Sequence, residues 1–172
     1  MHVAQRACRA LRLTQIWLLV SPGNPLKSSN GMAPLAQRLA SARAIADGRR
    51  IIATDIEARL GTRFTFDTVR TLQQRFPRIR FVWLMGADNL VQLPRWKHWR
   101  ELVAIVPFAV LPRPTYNPKA LAGLATRRLH QARLPARQAP ILPNDAAPRW
   151  LFLPSRQHHA SATQIRLAGQ HA

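Results

Sequence analysis

Short apolar runs alternate with stretches of helical periodicity along most of this chain, and proline or glycine closes nearly every run. That alternation restricts the fold to a layered α/β architecture. A compact apolar run suits a strand buried on both faces of a parallel sheet, and the intervening helices supply the cover. Gln15–Val20 is the first such run, closed by Ser21-Pro22-Gly23-Asn24-Pro25. Before it, Met1–Leu13 predicts an amphipathic helix with Val3, Ala7, Cys8 and Leu11 on one side. The same arginine-containing, acid-free stretch loosely fits a transit peptide, but the helix is the preferred reading. After a polar loop from Lys27 to Met32, Pro34 suits a helix N1 position, and the helix should run to Asp47-Gly48.

The pattern continues with a second strand at Arg50–Thr54 and a helix over Thr65–Phe76, whose apolar residues Phe66, Val69, Leu72 and Phe76 recur at helical spacing before Pro77. Arg80–Met85 predicts a third strand leading into Gly86-Ala87-Asp88. Short helices follow at Asp88–Leu93 and Trp99–Ile105, then a fourth strand at Phe108–Leu111, closed by Pro112-Arg113-Pro114. From Tyr116 to Pro148 the pattern weakens: Pro118–Leu129 has helical character and the proline-rich remainder reads as loop. Trp150–Leu153 is the last strand, and Ser161-x-x-Gln164 matches a capping box for a short helix over Ser161–Leu167.

At 172 residues, 47% of them apolar, the chain suffices for one domain, 1–172, with a real core. Its formal charge of +19 is carried mostly by arginine and would attract nucleotides, nucleic acid or anionic lipid. Scattered as they are, the arginines also fit a solvated surface. Cys8 is the only cysteine, which excludes an internal disulfide and a cysteine-based zinc site and fits a reducing cytoplasm. The longest apolar run, Ile16 to Val20, is far too short to span a bilayer.

In parallel sheets the ligand sits at the carboxyl ends of the strands. The loops after Val20, Met85 and Leu111 therefore matter most, and they carry Asn24 and Lys27, Gly86 and Asp88, and Arg113. Lys27 on a rigid loop could meet a phosphate as a point charge, or it could be a solvated lysine on a turn. Gly86 lets a ligand approach the backbone, and Asp88 could bond a ribose or simply cap the next helix. Trp96 and Trp99, three apart, suit the core; in a cleft, Trp96 could stack on an aromatic base. Ser161, Thr163 and Arg166 cluster about a helix N-terminus, suited to phosphate or to an ordinary capped helix. His158, His159 and His171 lack carboxylate or cysteine partners nearby, and no metal ligand is assigned.

In order, the segments Trp17–Lys27, Ala58–Thr68, Phe81–Leu90, Arg95–Trp99, Arg113-Pro114 and Ser161–Arg166 resemble the bacterial nicotinate-mononucleotide adenylyltransferases of the nucleotidyltransferase superfamily. The resemblance covers nearly the whole chain, weakest between Tyr116 and Trp150. It implies a Rossmann-like fold: a parallel sheet with helices on both faces. It also implies transfer of AMP from ATP, with Mg2+, to nicotinate mononucleotide, with release of pyrophosphate. Lys27 and Arg166 would then act on the reacting phosphates. Asn24, Thr65 and Trp96 would take the mononucleotide, Trp96 by stacking on the pyridine ring. Gly86, Asp88, Arg113, Ser161 and Thr163 would take ATP. Ala162 stands where the family usually has a second serine, which removes one hydroxyl contact.

Family members begin with a strand and a phosphate loop ending in histidine-x-glycine-histidine. Here the match starts just after that motif, and His2 is not a motif histidine. Either Met1 is an internal methionine of a longer protein or the chain is a genuine short form. A short form would miss a strand of about 5–6 residues near the middle of the sheet and leave its neighbours with unpaired edges. It should be poorly soluble, with little or no activity. Two other readings remain. A basic nucleic-acid-binding protein is permitted by charge, although no helix-turn-helix, zinc-finger or RNA-recognition signature is present. Within the same fold, nicotinamide mononucleotide or a pantetheine phosphate could replace the acid substrate.

Overall fold

The computed structural model describes residues 2–23 and 32–153. Helix α1 (His2–Ala10) leads into strand β1 (Ile16–Leu19), followed by α2 (Leu35–Ile45) and β2 (Ile51–Thr54). Then come α3 (Ile56–Leu60), α4 (Thr65–Arg75), β3 (Trp83–Gly86), α5 (Ala87–Gln92) and α6 (Trp99–Ile105). Strand β4 (Phe108–Leu111) precedes α7 (Asn117–Leu121), α8 (Leu124–Arg128), a two-residue strand β5 (Arg133–Leu134) and β6 (Trp150–Phe152).

All strand pairs are parallel, but the strands form two sheets. One is β1-β2; the other runs β3-β4-β6-β5. Side-chain alternation turns the larger sheet toward two cores. On one face the register aligns Trp83, Phe108 and Trp150, then Met85, Val110 and Phe152. These pack with Val69 of α4, Leu90 of α5, Leu102 and Val103 of α6, Ala120 of α7 and Ala125 of α8. Phe108 and Trp150 stack with ring centroids 5.5 Å apart, worth about 0.5–1.5 kcal/mol beyond their burial. The Trp150 indole N–H donates to the Leu129 carbonyl at 2.8 Å. On the other face Leu84, Ala109, Leu151 and Leu134 meet Ala7, Cys8 and Leu11 of α1 and Ala139 and Leu142 of a proline-containing 3-10 segment. Ile16 and Leu18 of β1 join this second core, so the two sheets share it.

The alternation called for one covered sheet, and both faces are covered as expected. The division into two follows from the edges of β1 and β3. The N–H groups of Ile16 and Val20 donate to the Arg50 and Thr54 carbonyls beside and within β2. Alternation therefore turns the backbone groups of Trp17 and Leu19 the other way. On β3, the Trp83 N–H donates to Pro107, which turns Leu84 and Gly86 outward. Neither edge has a strand partner among the described residues, as the resemblance led us to expect. Both strands are accordingly only half-buried along most of their length, whereas β4 in the larger sheet is buried at Phe108, Ala109 and Val110.

Several sequence expectations need correction. Val3 shares the stripe of Ala7 and Leu11 but is 37% exposed, because it lies a turn before the part of α1 that contacts the core. Phe76 is equally exposed; it closes α4 and meets Trp17 edge-on at 6.1 Å. Pro34 is the N-cap residue of α2, not its first helical residue. That helix stops at Ile45, because Asp47 folds the following turn around its own carboxylate. Asp47 Oδ1 accepts from the backbone N–H of Arg49, Arg50 and Ile51 at 2.8–2.9 Å. Those bonds hold its carboxyl below the ordinary value. The helix α3 carries too few residues for periodicity to reveal it. It ends at Gly61 in the left-handed conformation, φ 64. The helical stretch foreseen over Pro118–Leu129 is two short helices broken at Gly123. The terminal helix foreseen over Ser161–Leu167 lies outside the described residues.

Candidate active site

The carboxyl ends of β3 and β4 bring together three of the residues singled out from sequence. Register pairs Gly86 with Leu111, which sets Asp88, two residues beyond one strand end, beside Arg113, two beyond the other. Arg113 Nε lies 3.6 Å from Asp88 Oδ1. This is an ion pair but too long for a hydrogen bond, and Asp88 Oδ1 is buried without a hydrogen-bond partner. A buried carboxylate oxygen so placed still has acceptor capacity for a ligand donor. Gly86 lies beneath both side chains. A Cβ there would stand 2.3 Å from Asp88 Oδ1 and 3.0 Å from Arg113 Nε. Gly86 itself is the N-cap residue of α5 with an ordinary extended backbone, φ −77. Asp88 is therefore in the first turn of α5 and is not its cap, which removes the plainer reading of this residue. The Arg113 backbone N–H donates to Asn117 Oδ1 at 2.8 Å, fixing the loop after β4.

A second grouping joins the first turn of α4 to the segment before α6. Thr65 is the first residue of α4 and is half-buried. Its neighbours hold those of Trp96: Lys97 Nζ sits 4.6 Å above the Phe64 ring, and the His98 ring lies 5.3 Å from Phe66. Trp96 is half-buried against the core that contains Leu90 and Leu102. Trp99 packs there too, so both tryptophans retain a structural share. His98 turns the chain into α6 with φ 55, a left-handed conformation costing a non-glycine residue about 1–2 kcal/mol. Asp88 and Trp96 are linked by α5 and one 3-10 turn over Leu93–Arg95.

Glu57 was not singled out from the sequence. It lies on α3, is only 7% exposed, and faces the hydroxyls of Ser21 and Thr68. Burial pushes its carboxyl above the ordinary value, and the two hydroxyls partly oppose that shift. One signal was available: acids number only 7 in this chain, so each is worth locating. Asn24, Lys27, Ser161, Thr163 and Arg166 lie outside the described residues, as do His158, His159 and His171. Among the described residues, no three His, Cys, Asp or Glu side chains gather as a metal site. A depression of about 460 Å³ lined by Cys8, Arg9, Arg12, Leu13, Thr14 and Arg50 lies at the amino ends of β1 and β2, away from this region. No helix of the described residues is long and apolar enough to cross a membrane.

Parallel strands with covering helices, and polar residues gathered at the strand carboxyl ends, define a Rossmann-like nucleotide-binding α/β protein. The chain belongs to the cytidylyltransferase-like family, whose model matches residues 1–168. A Gluconobacter oxydans protein named "Probable nicotinate-nucleotide adenylyltransferase" is 60% identical over 168 residues, covering 98% of this chain and 86% of that protein. A Gluconacetobacter diazotrophicus protein of the same name is 59% identical, covering 96% of this chain and 77% of the relative. Among solved structures, the Plasmodium falciparum nicotinic acid mononucleotide adenylyltransferase complexed with APC superposes with a TM-score of 0.60. It is 14% identical and covers 96% of this chain and 74% of its own, a likeness of fold.

Proposed function

We propose that this chain is the nucleotidyltransferase domain, 1–172, of a nicotinate-nucleotide adenylyltransferase of NAD biosynthesis, working in the cytoplasm. A phosphate oxygen of nicotinate mononucleotide attacks the α-phosphorus of ATP. The bond from that phosphorus to the β-phosphate oxygen breaks, and pyrophosphate leaves with its electrons. The observation that carries this reading is the cluster of Gly86, Asp88 and Arg113 at the β3 and β4 carboxyl ends, in a chain 60% identical to a relative of that name.

In this reading the adenosine side of ATP approaches the backbone at Gly86. Its hydroxyls donate to the unpartnered Asp88 Oδ1, and Arg113 closes the same wall. Thr65 and Trp96 receive the mononucleotide, Trp96 through its ring face and Thr65 through its hydroxyl. Asn24 joins them, while Lys27, Arg166, Ser161 and Thr163 serve the phosphates. The described residues offer no protein cage for Mg2+, so the ion enters as part of the ATP complex, held by phosphate oxygens and water. Covalent chemistry by the protein is not required, so alignment and charge stabilisation carry the catalysis.

Titrating the chain with nicotinate mononucleotide tests this. We expect saturable binding that Trp96→Ala abolishes, and weaker binding of nicotinamide mononucleotide. Tight DNA or RNA binding with a steep salt slope, and no mononucleotide binding, would instead favour a nucleic-acid-binding protein.

A further inference from the structure

We propose that Glu57 is a positioning residue for the mononucleotide side of the cleft, clasping the end of β1 to the first turn of α4 so that Thr65 is held at a set height. The inference rests on the mononucleotide reading above. Its physical basis is the division of the sheet. With no strand pairing between β1-β2 and the larger sheet among the described residues, the two parts are held together by side chains. Helix α3 leaves β2 directly, and α4 belongs to the larger body through Val69 and Phe66.

Glu57 stands at the join. Its carboxyl faces the Ser21 hydroxyl, just past β1, and the Thr68 hydroxyl of α4. Ser21 Oγ also lies 3.0 Å from the Gly23 carbonyl, so the same contact shapes the loop leaving β1. Thr68 is fully buried. Its Oγ1 is 2.8 Å from Thr62 Oγ1 and 3.2 Å from the Phe64 carbonyl, the peptide that immediately precedes Thr65. A connected path thus runs from Glu57 through Thr68 and Phe64 to Thr65. Burying a carboxyl is unfavourable, and a leucine of similar size would fill the position without that penalty. The polar groups here act through geometry: hydroxyls satisfied by one carboxyl set the angle between α3 and α4 in a way apolar packing would not.

The test uses the full chain, with nicotinate mononucleotide and a non-hydrolysable ATP analogue as separate probes. Glu57→Leu is expected to weaken mononucleotide affinity about ten-fold, the loss of one to two buried hydrogen bonds. Affinity for the ATP analogue should change by less than about two-fold, since Asp88 and Arg113 stand on other elements. Glu57→Gln, which can still bond both hydroxyls, should recover most of the lost affinity. Thr68→Val should repeat the loss and Thr68→Ser should not, which keeps the test sound if Glu57→Leu fails to fold. Equal weakening of both ligands, in step with melting temperature, would reduce Glu57 to a general stabilising role and overturn the proposal. So would unchanged mononucleotide binding in Glu57→Leu and Thr68→Val. An unaltered chain that binds the ATP analogue and not the mononucleotide would overturn the functional reading itself.

Discussion

Replacing Gly86 with alanine separates stability from ligand binding in a way the structure lets us estimate. The added Cβ would stand 2.3 Å from Asp88 Oδ1, far inside van der Waals contact, with Arg113 Nε at 3.0 Å and Cγ at 3.3 Å closing the same direction. Arg113 is a flexible side chain, 59% exposed, and can swing away easily; Asp88 is short and 28% exposed, so it must leave its rotamer. A rotamer displaced by about 30° costs roughly 0.5–1.5 kcal/mol. The partly exposed ion pair with Arg113 adds about 0–1 kcal/mol when broken. Against this, the ordinary φ of −77 means that alanine fits the backbone and recovers about 0.4–1 kcal/mol through the unfolded chain. The net loss is about 1 kcal/mol, or roughly 2–4 °C in Tm for a chain of this length. ATP affinity should fall far more, by about ten-fold or beyond, because the carboxylate oxygen offered to the ligand has turned away and the approach to the Gly86 backbone is filled. Thermal unfolding with and without an ATP analogue, together with calorimetric titration, gives both numbers. Parental ATP affinity in Gly86→Ala would refute the assignment of this wall to the nucleotide. A Tm drop of roughly 10 °C or more would show that Gly86 is needed for packing.

Trp150→Phe should destabilise the chain by about 2–4 kcal/mol, since it leaves a void in the core and the Leu129 carbonyl without its donor; urea unfolding measures it, and a loss under about 1 kcal/mol would contradict the packing described. Asp47→Ala should lower Tm at neutral pH. The Asp47 carboxyl is depressed in the folded chain, so its contribution is present above the ordinary carboxylate value of 3.8 and is lost as pH falls through the folded value. A parent and variant that differ equally at all pH values would exclude that linkage. Glu57 has the opposite sign. Its carboxyl is raised, so its effect on stability is most favourable below the ordinary value of 4.5 and declines as pH rises through the folded value. In Glu57→Gln that decline should disappear from Tm profiles; an unchanged profile would mean that Glu57 is not the titrating group.

Much of this fold was legible along the chain because its signals are local. Phe108–Leu111 is a run buried at three of its four residues and bounded by proline, and it is a strand in the core of the larger sheet. Thr65–Phe76 kept its helical period because Val69 and Leu72 face the core. The short helix α3, the two-residue strand β5 and the break at Gly123 escaped because one or two turns hold too few residues for a period to show. Of the candidate site, Gly86, Asp88 and Arg113 were visible as residues at strand ends, but only as three separate weak signals.

The amino-acid order by itself determined which segments are strands, which helices cover them, and that polar residues follow the strand carboxyl ends, since each depends on spacing between near neighbours. Tertiary structure alone decided that Asp88 keeps a buried, unpartnered oxygen beside Arg113, that the sheet divides between β1 and β3, and that Glu57 lies buried beside Ser21 and Thr68. These features depend on strand register and on helices packing across long stretches of chain, where a side chain's surroundings come from residues far away in the sequence.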